Sequence, residues 1–445
     1  MHDLTGTQLR HGGDIKGVQA SLDYLHGMGI RGLYIAGNPM LNNPWEADSY
    51  SPIDHSILDH HFGTIKQYRE VIQAIHDKGM YVLFDNTMAT MGDLFMFDGY
   101  GNTSAPWSFN EHHMMYKNSA EYRDYTHSNV WSEECPFSYP RFWDQGGNLI
   151  DNYNTTKTKG CMAESDFDQY GDVGAFGVYP EWQKQLSKFN GVQDRLREWN
   201  PQVLDKINHF SCMITQGLDI DGFRIDKAMQ VTVDSLGNFP NYQRQCASRV
   251  GKTNFMIVGE IVNGNADGSI YLGKGTDPSM TVENLTMAIV SNETESIRGN
   301  GQQGLDGGAF QYTTYRALMR FLGLDGDLLA ANDAPVNFQD QWAVMTAMND
   351  MHNAFTGEFD PRHMYGVSNQ DVLRWPGLTN GTERQLLADF IITLLMPGIP
   401  LVSWGEEQAF YTLDNTASNY VYGRQAMSSA RAWQMHGCYK SATQI

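Results

Sequence analysis

Leu218-Asp219-Ile220-Asp221-Gly222-Phe223-Arg224-Ile225-Asp226-Lys227-Ala228 reads as a short buried strand, Leu218–Arg224, that ends in an arginine and a carboxylate two residues apart. The period-2 geometry of an extended segment places Arg224 and Asp226 on the same side. An arginine held beside an aspartate keeps that aspartate ionised at neutral pH. An ionised, positioned carboxylate at a strand end is what a covalent glycosidase nucleophile requires. Taken alone, the pair reads equally as a structural ion pair, so its meaning depends on the rest of the chain.

Working outward, short apolar runs alternate with amphipathic helical segments. Helical spacing covers Val18 to Met28, Ile65 to Asp77, Gln202 to Thr215 and Glu383 to Leu395. Strand-like runs cover Ile30 to Ala36, Tyr81 to Asp85, Phe255 to Val258, Tyr365 to Ser368 and Ile399 to Trp404. Repeated strand–helix units predict a parallel sheet covered by helices. In a chain of 445 residues the first expectation is an α/β fold of the (β/α)8 TIM barrel type. A doubly wound open sheet is the alternative, but no glycine-rich phosphate loop follows a first strand. The barrel is expected over 1–91 and 164–445, with its first strand upstream of Met1, because Gly12-Gly13-Asp14-Ile15-Lys16-Gly17 leads directly into a helix. Periodicity fails between Gly92 and Ala163, a stretch rich in Asn, Tyr, Trp, Pro and His. A loop-rich inserted subdomain over 92–163, after the third barrel strand, is the reading.

Composition narrows the chemistry. Hydrophobic residues make up 41% and charged residues 18% of the chain, which fits a globular protein. A formal net charge of −20 argues against a nucleic-acid partner, whose phosphates call for cations, and against a polybasic membrane contact. Uncharged substrates fit it. The most apolar stretch, Phe390 to Trp404, is interrupted by Pro397 and Pro400 and is too short to span a bilayer. Five cysteines include no C-x-x-C pair, which excludes the common zinc-ribbon and thioredoxin patterns. In an oxidising compartment Cys135 with Cys161 and Cys212 with Cys246 are the expected pairs, leaving Cys438 odd. Sequons at Asn102, Asn154, Asn284, Asn292 and Asn380 agree with such a compartment but arise by chance in a chain this rich in Asn, Ser and Thr.

In a (β/α)8 barrel, carboxylates at the C-terminal ends of different strands converge on one pocket. Asp226 ends the fourth barrel strand, Glu260 the fifth and Asp371 the seventh on this reading. Two carboxylates on neighbouring strands can lie about 5 Å apart, the separation of a retaining glycosidase. One then attacks while the other gives and takes a proton. Each carboxylate alone reads as a turn or loop residue; the three in order are far more specific.

On these residues the chain resembles the α-amylase superfamily of glycoside hydrolases, over nearly its whole length. Gly222-Phe223-Arg224-Ile225-Asp226 is similar to the nucleophile motif and Gly259-Glu260 to the acid/base motif. Asn369-Gln370-Asp371 is similar to the motif whose aspartate orients substrate hydroxyls. Tyr50-Ser51-Pro52-Ile53-Asp54 is similar to the segment whose tyrosine stacks under the sugar, and Tyr81-Val82-Leu83-Phe84-Asp85 to the strand-three motif. The resemblance implies Asp226, Glu260 and Asp371 as catalytic residues, with Arg224, Tyr50, Asp85, Asn369 and Gln370 around the substrate.

Departures matter. Ala89 and Thr90 stand where the family has a calcium-binding asparagine and a sugar-contacting histidine. Calcium is therefore doubtful, and no metal or other cofactor is assigned. Gln370 replaces a second histidine; it can donate a hydrogen bond but carries no charge. Met229-Gln230 replaces a Lys-His pair on the acceptor side.

Longer stretches resemble the N-terminal extracellular domain of fungal cell-wall α-1,3-glucan synthases. They include Asp85-Asn86-Thr87-Met88-Ala89-Thr90-Met91-Gly92-Asp93-Leu94 and Trp404-Gly405-Glu406-Glu407-Gln408-Ala409-Phe410-Tyr411. That family shares the Thr90 and Gln370 departures, and its full proteins add membrane spans and a cytoplasmic glucosyltransferase domain. The implied role is a retaining hydrolase or transglycosylase acting on α-glucan or maltooligosaccharide, in cell-wall biogenesis, on the cell-wall face of the plasma membrane. Membrane attachment would come only through parts outside this chain. The alternatives are a catalytically silent glucan-binding scaffold and a secreted α-amylase-like hydrolase.

Overall fold

The computed structural model describes residues 13–42, 49–59, 62–92, 193–261, 307–311, 362–366, 369–371 and 383–408, with Leu305 and Gln339. The expected subdomain over 92–163, Cys135 with Cys161, and Cys438 lie outside them. The chain divides into two compact units, Asp14–Ile257 and Met1–Gly13 with Val258–Ile445.

In the first unit, α1 (Ile15–Ala20) and α2 (Leu22–Gly27) precede β1 (Gly32–Ile35). A single helix over Val18–Met28 was the expectation. The helix breaks at Ser21, whose hydroxyl donates back to Gly17 O at 3.1 Å, a contact that bends helices. Next come β2 (Met40–Asn42), β3 (Pro52–Leu58) and α3 (Ile65–Asp77). The α3 bounds match the sequence expectation because both ends are written locally. Thr64 and Gln67 close a capping box at the start, and Gly79 follows the end at φ 66°. Tyr68, Val71, Ile72 and Ile75 form its buried face, the i, i+3, i+4, i+7 stripe of an amphipathic helix.

β4 (Tyr81–Asn86) follows, then β5 (Thr90–Gly92) and β6 (Gln193–Arg195) as an antiparallel pair. α4 (Pro201–Leu218) starts at an Asn200 cap with proline in its first turn. β7 (Gly222–Ile225) and α5 (Val233–Ser248) complete the unit. β4 lies between β1 and β7, parallel to both. Such central strands are buried on both faces, and all four β7 residues are buried. Gly222 has no room for a side chain, since a Cβ there would lie 2.4 Å from Met256 O.

The expected strand Leu218–Arg224 is corrected at its start. Leu218 is the last residue of α4, and Asp219 ends the helix in the left-handed region at φ 65°. Asp219 and Asp221 are drawn into an ion cluster instead of a strand. Lys252 Nζ lies 3.0 Å from Asp219 and 2.6 Å from Asp221, and His76 Nε2 lies 2.9 Å from Asp221. Hydrogen bonds to Asp219 and Asp221 push the His76 imidazole up to about 9.

A disulfide joins Cys212 on α4 to Cys246 on α5, as expected for an oxidising compartment. Closing a loop of sequence separation 34 stabilises by about 4 kcal/mol in the chain-entropy account.

β8 (Met256–Ile261) runs from the first unit into the second. There β9 (Gly308–Gln311), β10 (Met364–Gly366) and β11 (Ile399–Leu401) pair in parallel, β9 also pairing with β8. The last strand is shorter than the expected Ile399–Trp404, because Ser403 N turns to Glu406 Oε2 at 3.2 Å. α6 (Glu383–Leu395) lies between β10 and β11 in the chain, with the bounds expected. Asp389 on α6 is fully buried, and neither carboxyl oxygen has a hydrogen-bond partner among the described residues. Burial, aided by the Glu406 charge, pushes its carboxyl up to about 8.

Because the folded value lies above the ordinary carboxylate range, the folded state holds this proton more tightly than the unfolded state. The contribution of this group to stability is fully present below about pH 4 and is lost as pH rises towards 8. Replacing Asp389 by Asn removes the ionisation. Wild type should lose stability relative to Asp389→Asn by about 1.4 kcal/mol per pH unit across that window, as read by chemical denaturation at a series of pH values.

Candidate active site

The centre of the first unit is a buried charge cluster. Arg224, on β7, sits opposite Asp85, on β4, in the parallel register. Its Nη1 donates to Asp85 Oδ1 at 2.9 Å and to Asp226 Oδ1 at 2.6 Å. Asp226 is the first residue beyond β7, and its backbone N–H donates to Asn86 O at 2.9 Å. The chain therefore continues the sheet ladder by one bond, and the carboxylate projects from a fixed backbone. Arg224 and Asp85 are fully buried, and Asp226 is 5% exposed.

Asp85 Oδ2 accepts from three further groups: the Tyr34 hydroxyl at 2.7 Å, the Tyr50 hydroxyl at 2.6 Å and Gly37 N at 2.6 Å. Burial raises the Asp85 carboxyl, while the Arg224 guanidinium opposes that shift. Burial also pushes the Tyr34 phenol well up, so it stays a donor. The guanidinium carbon lies 5.9 Å from the centre of the Tyr34 ring and 5.8 Å from that of Tyr50, within cation–π range. Asp85 thus holds Arg224 from one side and the Tyr50 hydroxyl from the other.

Lys227 follows Asp226 with a left-handed backbone, φ 50°. Its ammonium donates to Asp226 Oδ2 and lies 5.8 Å from the centre of the Tyr50 ring. Both oxygens of Asp226 are therefore paired with cations. Arg224, Asp85, Tyr50 and Asp226 were marked from the sequence and are brought together. Tyr34, Gly37 and Lys227 were not. Tyr34 and Gly37 carry no motif of their own; Lys227 could have been suspected as a cation directly after the carboxylate.

Glu260, Asn369, Gln370 and Asp371 belong to the second unit. Glu260 is the penultimate residue of β8 and is buried. Asp371 lies beyond β10, in a turn closed by its own N–H donating to Asn369 Oδ1 at 2.7 Å. Asn369 and Gln370 are buried, and Asp371 is half-buried.

Ala89, where a calcium ligand was in question, lies just before β5. Its carbonyl oxygen accepts from Leu196 N and from Arg195 Nη1, both at 2.8 Å. Arg195 is fully buried and forked onto Glu198, with Nη1 to Oε2 at 2.5 Å and Nη2 to Oε1 at 2.8 Å. Ala89 has no side-chain donor and its carbonyl oxygen already accepts from two N–H groups, so this position does not supply the calcium ligand that an asparagine would. Among the described residues no group of three or more His, Cys, Asp or Glu is placed to hold a metal.

The family described as Alpha amylase, catalytic domain, matches residues 3–435. The chain belongs to that family. It is 48% identical to the cell wall alpha-1,3-glucan synthase mok13 of Schizosaccharomyces pombe over 99% of this chain and 19% of that protein. It is also 48% identical to ags1, of the same description and organism, over 99% of this chain and 18% of that one. The chain therefore spans about a fifth of the length of these relatives. Among solved structures it is similar to a cyclomaltodextrin glucanotransferase with a three-domain ABC distribution. That match has a TM-score of 0.57 and 18% identity, and covers 98% of this chain and 72% of the other. A Geobacillus thermoleovorans α-amylase complexed with acarbose matches at TM-score 0.56 and 16% identity, covering 96% and 70%. The expected α-amylase-type (β/α)8 fold is thereby shown, with its parallel strands in place. Among the described residues no helix is long and apolar enough to cross a membrane.

Arg195→Met should leave Glu198 buried without its cation and cost about 3–5 kcal/mol, measured by urea denaturation. A chelator such as EDTA should not destabilise this region, read by hydrogen exchange of the 193–200 backbone.

Proposed function

We propose that this chain is an α-glucan-processing domain that acts by retaining double displacement, in a protein of the cell-wall α-1,3-glucan synthase type. The carrying observation is the Asp226 carboxylate, placed one residue past a buried strand and paired with Arg224 at 2.6 Å. A nucleophile for this reaction must be ionised, fixed and partly desolvated, and that pairing supplies all three. Glu260 is the penultimate residue of β8 and Asp371 lies beyond β10, near the strand ends at which barrel enzymes gather catalytic groups.

On this reading an Asp226 oxygen attacks the anomeric carbon while Glu260 gives its proton to the departing glycosidic oxygen. Glu260, now a carboxylate, takes a proton from water or from a second glucan hydroxyl. That oxygen displaces Asp226 and restores the starting configuration. Asp371, with Asn369 and Gln370, grips sugar hydroxyls in the transition state, and Tyr50 offers its ring face. Asp85 acts by holding Arg224 and Tyr50. Residues 92–163 are assigned as the inserted subdomain, and the site is placed on the cell-wall face of the plasma membrane. The names of the relatives, cell wall alpha-1,3-glucan synthases, support an α-glucan substrate.

The test is to incubate the chain, within its full-length protein, with maltooligosaccharides and with α-1,3-linked oligosaccharides. Products longer than the donor are expected. Asp226→Asn should abolish turnover, and Glu260→Gln should lower it by about 10²–10⁴-fold. No turnover by wild type, with Asp226→Asn binding glucan equally well, would instead identify a silent binding domain. That second reading is favoured by the loss of two sugar-contacting histidines at Thr90 and Gln370.

A further inference from the structure

Lys227 is the one residue of the charge cluster that strains the backbone. Its φ of 50° lies in the left-handed region, which costs a non-glycine residue about 1–2 kcal/mol. The conformation persists where surrounding contacts over-determine it. Here two contacts do so. The Lys227 carbonyl accepts from Gln230 N at 2.8 Å, opening the short 3-10 turn Ala228–Gln230. The Lys227 ammonium, 4% exposed as a side chain, closes on Asp226 Oδ2. A lysine normally keeps its ammonium in water by extending its stem; this one is turned inward onto a carboxylate that Arg224 already holds by the other oxygen.

We propose that Lys227 is a positioning residue for the nucleophile, fixing the second oxygen of Asp226 until sugar enters and receiving it again when the sugar leaves. The inference rests on the reading of Asp226 as the nucleophile. The two cations differ in kind. Arg224 is planar, bound to Asp85 as well, and within cation–π distance of two tyrosine rings, so moving it disrupts the cluster. Lys227 is a point charge on a flexible four-carbon stem. The oxygen it holds, Oδ2, is therefore the one that can be released to form the bond to the anomeric carbon. As that bond forms, the glycosidic C–O bond breaks and the leaving oxygen takes its proton from Glu260. Asp226 loses its charge, and the ammonium gives up that contact while lying 5.8 Å from the Tyr50 ring centre. In the second step the incoming oxygen, deprotonated by Glu260, forms its bond to the anomeric carbon while the Oδ2 bond breaks. The carboxylate that departs regains its negative charge beside Lys227, which stabilises it as a leaving group.

The charged groups described against Asp226 in this unit include Arg224 from β7 and Lys227, with Asp85 from β4 on the far side of Arg224 and hydrogen-bonded to Tyr34 of β1 and to Tyr50 before β3. Removing Lys227 takes away the cation in contact with Asp226 Oδ2. An opposite charge in contact moves a carboxyl by about 1–3 pH units. Lys227→Met should therefore move the acid limb of kcat/KM to higher pH by about one unit or more, and lower kcat more than it raises KM. Lys227→Arg should restore the acid limb. Lys227→Gly relieves the backbone strain without supplying a charge, and should behave like Lys227→Met. Thermal unfolding of each variant checks that it folds.

A second measurement does not need turnover. The titration of Asp226 is followed by carboxyl 13C NMR of the full chain, with Asp226→Asn identifying the resonance. Titration at higher pH in Lys227→Met than in wild type supports the proposal where wild type turns over glucan; if wild type turns over nothing, the nucleophile reading fails and the positioning role fails with it. An unchanged titration overturns the proposal, as does a Lys227→Gly variant with the wild-type acid limb, whatever the activity.

Discussion

A guanidinium buried in a parallel sheet is tolerable only if acceptors meet it there. Arg224 has Asp85 on the neighbouring strand and Asp226 just past its own. Each member of this trio is untenable without the others. Asp85 without Arg224 is a fully buried charge; Arg224 without Asp85 loses its anchor on the adjacent strand; Asp226 without Arg224 loses the partner that fixes its direction. Uncompensated buried charge costs several kcal/mol, so the strand register of β4 and β7 and the position of the carboxylate are enforced together. The tyrosines follow from the same constraint, because Asp85 accepts both their hydroxyls while their rings face the guanidinium.

Much of this was legible in the sequence, for reasons that differ by residue. The spacing of Arg224 and Asp226 predicts their pairing, because extended chains repeat every two residues. α3 was legible to its ends because Thr64, Gln67 and Gly79 are local stop and start signals. The start of β7 was not, since Leu218-Asp219-Ile220-Asp221 alternates like a strand. Only the tertiary partners His76 and Lys252 divert both aspartates. Tyr34 and Gly37 reach Asp85 through long-range contacts that leave no local pattern. Lys227 was visible as a cation, but its inward turn depends on a backbone φ that sequence does not encode.

The departures from the family pattern take on a physical shape. At Ala89 the side chain offers no metal ligand, and the carbonyl accepts from Arg195. Next to Asp226, Lys227 brings a second cation beside Arg224.

The central claim is that Asp226 forms a covalent bond to sugar. Its most direct test uses Glu260→Gln, which slows release of the intermediate, incubated with an activated α-glucosyl fluoride that needs no acid to leave. Intact mass followed by peptide mapping should find one glucosyl unit esterified to Asp226, in a peptide containing Gly222-Phe223-Arg224-Ile225-Asp226. A glucosyl unit on any other residue, or fluoride release with no adduct at any time, would contradict the account.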